Sequence, residues 1–157
     1  MSARLPQPAL AFEPGGDLAR LARDYRVAAW PAAVAVRAGF RYDGASVPAP
    51  LRPLVGGPWD PLRLPAATAH DWLYASHAVP KWTADIVFLR LLAANGMPAW
   101  RALADWWAVA RFGGPAWRSH GPEENRRART LGEIRVFGLR VESGNNKATR
   151  NRKERDQ

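Results

Sequence analysis

The 157-residue chain contains no cysteine, which excludes disulfides and thiolate metal sites and leaves only oxygen or imidazole ligands for any metal. Such a composition suits a reducing compartment. Long apolar runs are missing too: no stretch approaches the roughly 20 residues that a membrane span requires. The opening MSARLPQPALAFEPGG lacks a basic segment followed by an apolar core, so a soluble protein without a cleaved signal is expected. Acidic residues are scarce, 14 against 23 lysines and arginines, for a net charge of +9. That excess favours an anionic surface such as nucleic acid, phospholipid or cell-wall polymer, without choosing among them.

What is present suggests one domain with tails. Residues 1–16 carry three prolines and a Gly-Gly pair and read as an irregular arm. The runs YRVAAW (25–30) and AVAVRAGF (33–40) are rich in valine and aromatics and read as a β hairpin or two sheet strands. Residues 41–65 hold six prolines and three glycines and cannot form one regular element. A loop of that length in a compact domain is usually functional or disordered. Beyond Pro65 the spacing changes to that of helices. AATAHDWLYASH stacks Ala66, His70 and Tyr74 on one face, and Pro80 suits the first turn of a second helix that Gly96 would end. A break of about four residues predicts an antiparallel helical hairpin. Pro98 opens a third helix, with Trp100, Leu103, Trp107 and Ala110 along one face and Gly113 and Gly114 after it.

The expected fold class is therefore α+β, a small N-terminal hairpin or sheet packed against three helices, with the globular part spanning 17–121. EIRVFGLRV alternates polar and apolar residues, so 122–143 could add an edge strand. Residues 144–157 carry five basic and two acidic side chains and no large apolar anchor, and read as a disordered basic tail.

The stretch that could carry chemistry is AHDWLY, residues 69–74. His70 and Tyr74 lie one helical turn apart, while Asp71 points about 100 degrees away. If the next helix runs antiparallel, Asp85 comes within reach of Tyr74. Asp43, in YDGAS, sits beside a glycine that permits a tight turn able to aim it at the helices. Such a set suits general-base hydrolysis. A neutral histidine can take a proton from water near pH 7, and a carboxylate on its other nitrogen fixes the tautomer. In that scheme His70 is the base, Asp85 orients it, and Tyr74 holds the carboxylate. Asp71, with backbone carbonyls or Asp43, could bind a hard cation such as calcium.

The residues resemble two families. Phospholipases of the A2 type carry His-Asp-x-x-Tyr on one helix, a preceding calcium loop with Tyr-x-Gly, and a later aspartate on an antiparallel helix. The chain has HDWLY (70–74), YDG (42–44) and TAD (83–85), and is more similar to the short disulfide-free viral forms. The resemblance implies His70 as base, Asp85 and Tyr74 as its orienters, and calcium held by Asp71 with Tyr42, Asp43 and Gly44. Over roughly residues 25–113 the chain also resembles a bacterial and phage family, domain of unknown function 1353. GFRYDGASVP (39–48), AHDWLY and ADIVF (84–88) carry that likeness. It implies a phage or prophage setting, in the host cytoplasm or a virion, with other phage proteins as partners.

Blander readings stand beside these. A buried histidine usually serves structure, and Asp-Gly is the commonest turn signal. Ser46 lacks the strand-elbow-helix setting of a serine nucleophile, and His77 and His120 read as surface or turn residues. Six of the eight tryptophans lie between 72 and 117. They could form a membrane-docking face with the arginines, but core packing is the expectation for most, with Trp106 and Trp117 the exposed ones. Two function classes follow. One is a histidine-based, calcium-assisted hydrolase of phospholipid or another ester. The other is a non-enzymatic virion or lysis-accessory protein whose polar cluster only specifies helix packing. Nucleic-acid binding ranks third, on charge and tail alone.

Overall fold

The computed structural model describes residues 4–14, 18–42 and 59–137, the side chain of Tyr42 excepted. The architecture is α+β, with two three-stranded antiparallel sheets and five helices among these residues. The strands are β1 (Leu10–Phe12), β2 (Ala19–Leu21), β3 (Tyr25–Ala29), β4 (Ala32–Val36), β5 (Arg41–Tyr42) and β6 (Gly132–Val136). The helices are α1 (Leu64–Ser76), α2 (Lys81–Ala94), α3 (Ala99–Phe112), α4 (Gly114–Ser119) and α5 (Pro122–Thr130).

The expected hairpin is β3–β4, in register from Tyr25↔Val36 to Ala29↔Ala32. Its alternation buries Tyr25, Val27, Ala32, Val34 and Val36 on one face. β6 pairs with β4 on the far side, giving the order β3-β4-β6, so the first part of the alternating run near the C-terminus forms a strand at a sheet edge; the end of that run, from residue 138, and the basic tail, 144–157, lie outside the described residues. The second sheet, β1-β2-β5, corrects the reading of residues 1–16 as wholly irregular. β1 has no alternation long enough to be legible, and is held by pairing with β2 and by Phe12 edge-on to Trp59, centroids 4.9 Å apart.

α1 is the central helix, buried around most of its circumference and touched by α2, α5, β4 and β5. Ala66, Ala67 and Ala69 let those neighbours approach closely. It ends at His77, a non-glycine residue in the left-handed region (φ 48°) whose N–H bonds the Leu73 carbonyl. Pro80 precedes α2, and Gly96, at φ 82°, follows it. α2 turns Ala84, Val87, Phe88, Leu91 and Leu92 inward, so the antiparallel α1–α2 hairpin forms as its spacing predicts.

α3 lies at the expected residues but is rotated. Trp100 (65 % exposed), Leu103 and Trp107 (54 % exposed) face outward, while Ala102 and Asp105 face in. The cause is Asp105, whose carboxylate accepts from Arg63 Nε at 2.7 Å and Nη2 at 3.1 Å with both side chains buried. At 100 degrees per residue, Trp100, Leu103 and Trp107 fall on the face opposite Asp105. Leaving a buried guanidinium unpaired would cost several kcal/mol, so pairing outweighs the apolar stripe. Most of the six tryptophans are thus not core: Trp82, Trp100 and Trp107 are exposed and Trp72 alone is fully buried. Trp106 and Trp117, expected to be exposed, are half-buried.

The packed body extends past Gly121, the boundary drawn from composition. Glu124 accepts from the Gly121 N–H at 2.9 Å, Pro122 opens the first turn, and α5 follows. Trp72 Nε1 donates to the Ala128 carbonyl at 2.9 Å, and Arg129 caps the end of α1 at the carbonyls of Ser76 and His77.

Candidate functional site

The antiparallel pairing of α1 and α2 sets His70 and Tyr74 against Asp85. Tyr74 Oη donates to Asp85 Oδ1 at 2.7 Å, and His70 Nε2 lies 3.0 Å from the same oxygen. Lys81, one turn before Asp85, donates to Oδ2 at 2.7 Å. His70 is 5 % exposed and Asp85 3 %. The imidazole also packs against the Tyr74 ring (centroids 4.1 Å) and Phe88 (4.7 Å).

Charge states follow from these contacts. Burial works to raise the Asp85 pKa, but the bonds from His70, Lys81 and Tyr74 outweigh it and hold the carboxyl below its ordinary value. Burial lowers the His70 pKa below 6.5, more than the Asp85 contact raises it. Burial and the neighbouring Asp85 carboxylate push the Tyr74 hydroxyl far up. Asp85 is then anionic, His70 neutral and Tyr74 protonated. A carboxylate can only accept, so His70 carries its proton on Nε2 and donates it to Asp85. The lone pair is on Nδ1, which makes no hydrogen bond among the described residues.

Two further residues complete the cluster, and both have a signal in the sequence. Lys81 stands at the i,i+4 distance from Asp85, a spacing that places such a pair on one helical face. It also donates to the carbonyls of Val109 and Ala110 at 3.2 and 3.3 Å, tying the cluster to the negative end of α3. Gly113, expected only as a helix stop, lies where any Cβ would come within 2.5 Å of Tyr74 Oη. Its lack of a side chain makes room for that hydroxyl.

Asp71 sits on the same helix as His70, and its charge contributes to raising Tyr74. Tyr42 ends β5, which lies against α1. Asp43, Gly44 and Ser46 are outside the described residues. Among the described residues, no group of three or more His, Cys, Asp or Glu is placed to hold a metal ion. His77 is half-buried rather than loose on the surface: its ring stacks on Trp117 at 3.8 Å, and its nitrogens meet the Trp117 carbonyl and Asn125. His120 bonds the Ala116 carbonyl at 3.1 Å. A groove of about 280 Å³ lies on the outward face of β3, β4 and β6, lined by Arg26, Ala33, Ala35, Glu133 and Arg135, and includes none of the cluster residues. Among the described residues no helix is long and apolar enough to cross a membrane.

The family model for the protein of unknown function DUF1353 matches residues 19–109, a span that includes all of α1 and α2 and hence the whole His70–Tyr74–Lys81–Asp85 cluster. Two proteins of Sinorhizobium fredii are similar: uncharacterized protein y4jT is 36 % identical over 88 residues (56 % of this chain, 25 % of that protein), and uncharacterized protein y4iH is 40 % identical over 76 residues (48 % and 31 %). The chain thus spans about a quarter to a third of the length of these curated relatives. No solved structure matches it.

Proposed function

We propose that this chain, which belongs to the DUF1353 family, is a histidine-based hydrolase of phospholipid or another ester. The observation that supports the reading is the orientation of His70: Nε2 is committed to an ionised, doubly braced carboxylate, and the lone pair of Nδ1 has no hydrogen-bond partner among the described residues. This is the arrangement a general base needs, with the tautomer fixed by a buried acceptor. In the reaction, Nδ1 takes a proton from water as its oxygen adds to the ester carbonyl. Collapse of the tetrahedral intermediate breaks the carbonyl-carbon to alkoxide-oxygen bond, and the imidazolium returns the proton to the departing alcohol. Asp85 stabilises the imidazolium between these steps, with Tyr74 and Lys81 holding its two oxygens. Asp71, with oxygen donors at Tyr42, Asp43 and Gly44, would hold a calcium ion, whose contribution when bound is to polarise the carbonyl; the position of β5 against α1 is consistent with that set. The resemblance to phospholipases of the A2 type and a phage or prophage setting belong to the same proposal.

A direct test is hydrolysis of a micellar long-chain ester at neutral pH by wild type, His70→Ala and Asp85→Asn, with circular dichroism on each. General acid–base catalysis contributes about 100- to 10,000-fold, so His70→Ala should lose at least about 100-fold while keeping its helical spectrum. Equal rates in wild type and His70→Ala would sink the reading.

The burial of His70 and the bonds from Lys81 to the end of α3 favour a second reading, a non-enzymatic virion or lysis-accessory protein. The same cluster then serves as a polar lock between helices, and His70→Ala lowers the melting temperature with no hydrolysis to lose.

A further inference from the structure

The rotation of α3 leaves an aromatic ridge on the surface. Trp100, Leu103 and Trp107 project from one face over about 10 Å of helix, and Phe112 continues it, its ring edge-on to Trp107 at 5.6 Å. Contiguous apolar patches of this kind are uncommon on monomers and mark interaction sites.

The charge around the ridge restricts what covers it. Between Pro80 and Gly121 the only acidic residues are Asp85 and Asp105, each 3 % exposed and paired inward. The basic residues of the same stretch are Lys81, Arg90, Arg101, Arg111 and Arg118. Arg111 lies over the Phe112 ring at 5.5 Å, setting a guanidinium at the border of the apolar strip. Asp60 pairs with Arg101 on α3, so the cation that borders the strip is Arg111; indoles with an aliphatic centre and a guanidinium at their edge match a lipid interface, where Trp occupies the boundary and Arg meets phosphate. Leu103, at the middle of the ridge, has no role as a base-stacking platform, which disfavours single-stranded nucleic acid.

We infer that the outward face of α3 is a docking surface for anionic phospholipid membranes, with Trp100, Leu103 and Trp107 entering the interface and Arg111 meeting headgroup phosphate. Lys81 ties the C-terminal end of α3 to Asp85, which connects the docked helix to the His70 cluster. The inference rests on the hydrolase reading only for what the site does there. Docking is measured on His70→Ala protein, so the failure of one idea is distinguishable from the failure of the other.

The experiment is co-sedimentation of the full chain, as wild type and as His70→Ala, with vesicles of equal parts phosphatidylglycerol and phosphatidylcholine, against phosphatidylcholine alone, following tryptophan emission in parallel. Two variants accompany it, Trp100→Ala/Trp107→Ala and Arg111→Glu; all three side chains are exposed, so the fold should survive. The expected result is binding to the anionic vesicles with a blue shift, weakened at least about tenfold by the tryptophan pair and measurably by Arg111→Glu. Absence of binding, or binding that the tryptophan pair leaves unchanged, overturns the inference. So does a ridge that serves another occupant: wild type that dimerises in solution while the pair variant is monomeric, or a pair variant that loses polyuridylate binding and keeps vesicle binding.

Discussion

Replacing Asp85 with alanine tests how far the cluster holds α1 against α2. The substitution removes the acceptor for the Tyr74 hydroxyl and the His70 N–H, both in a nearly dry interface. Each buried donor left unmade costs about 1–3 kcal/mol, so the two together cost about 2–6 kcal/mol. Lys81 adds little, since it is partly exposed and keeps the carbonyls of Val109 and Ala110. The central value is about 4 kcal/mol. For a chain of this size each kcal/mol shifts the melting temperature by about 2–4 °C, so Asp85→Ala should melt about 8–16 °C below wild type. Asp85→Asn keeps an acceptor oxygen for His70 and Tyr74 and should lose roughly half as much. Thermal melts by circular dichroism measure both, and a double cycle with Tyr74→Phe should be non-additive. An Asp85→Ala melt within about 2 °C of wild type would refute the view that these bonds are formed in a desolvated seam.

Acid should destabilise the protein in two stages. Below the ordinary imidazole value of 6.5, unfolded His70 takes up a proton that the buried side chain resists, so stability falls as pH drops from there. Asp85, whose folded pKa is depressed, contributes stability above the ordinary value of 3.8 that is lost as pH falls further. Urea midpoints between about pH 7 and pH 5 should show a shallower decline in His70→Gln, and equal slopes would contradict the assignment of a neutral buried imidazole. Gly113→Ala should crowd both the Val109 carbonyl and the Tyr74 hydroxyl and cost about 1–3 kcal/mol, read as a lower melting temperature of which Tyr74→Phe/Gly113→Ala recovers only the hydroxyl's share. If His70 is the base, the acid limb of kcat/KM should fall below pH 6.5; a limb at or above that value would remove His70 from the role.

The part of the site formed by His70, Tyr74 and Asp85 was legible because two local rules determine it. Four-residue spacing puts His70 and Tyr74 on one face, and a four-residue break forces the next helix back along the first. Lys81 was equally available at four residues from Asp85. The rotation of α3 was not legible, because it depends on Arg63, 42 positions before Asp105 and inside a proline-rich run with no periodicity. Hydrophobic spacing alone turned Trp100 and Trp107 inward. β3 and β4 could be read from their valines and alternation, whereas β1 and β2, three residues each, are too short to show a period. α5 has almost no apolar face. Its start signal, Gly-Pro-Glu-Glu from Gly121, was present, but its attachment comes from the indole of Trp72 and the guanidinium of Arg129.

The central claim is that His70 acts as a base on an ester, and fatty-acid release from anionic phospholipid vesicles tests it most directly. Wild type and His70→Ala would be compared in parallel, each with calcium and with chelator. Wild type should release fatty acid in calcium and lose most of that release in chelator, and folded His70→Ala should release none above background. Release that persists in His70→Ala, or no release from folded wild type against a panel of phospholipid and other ester substrates, would contradict it and leave the cluster as the lock between α1 and α2.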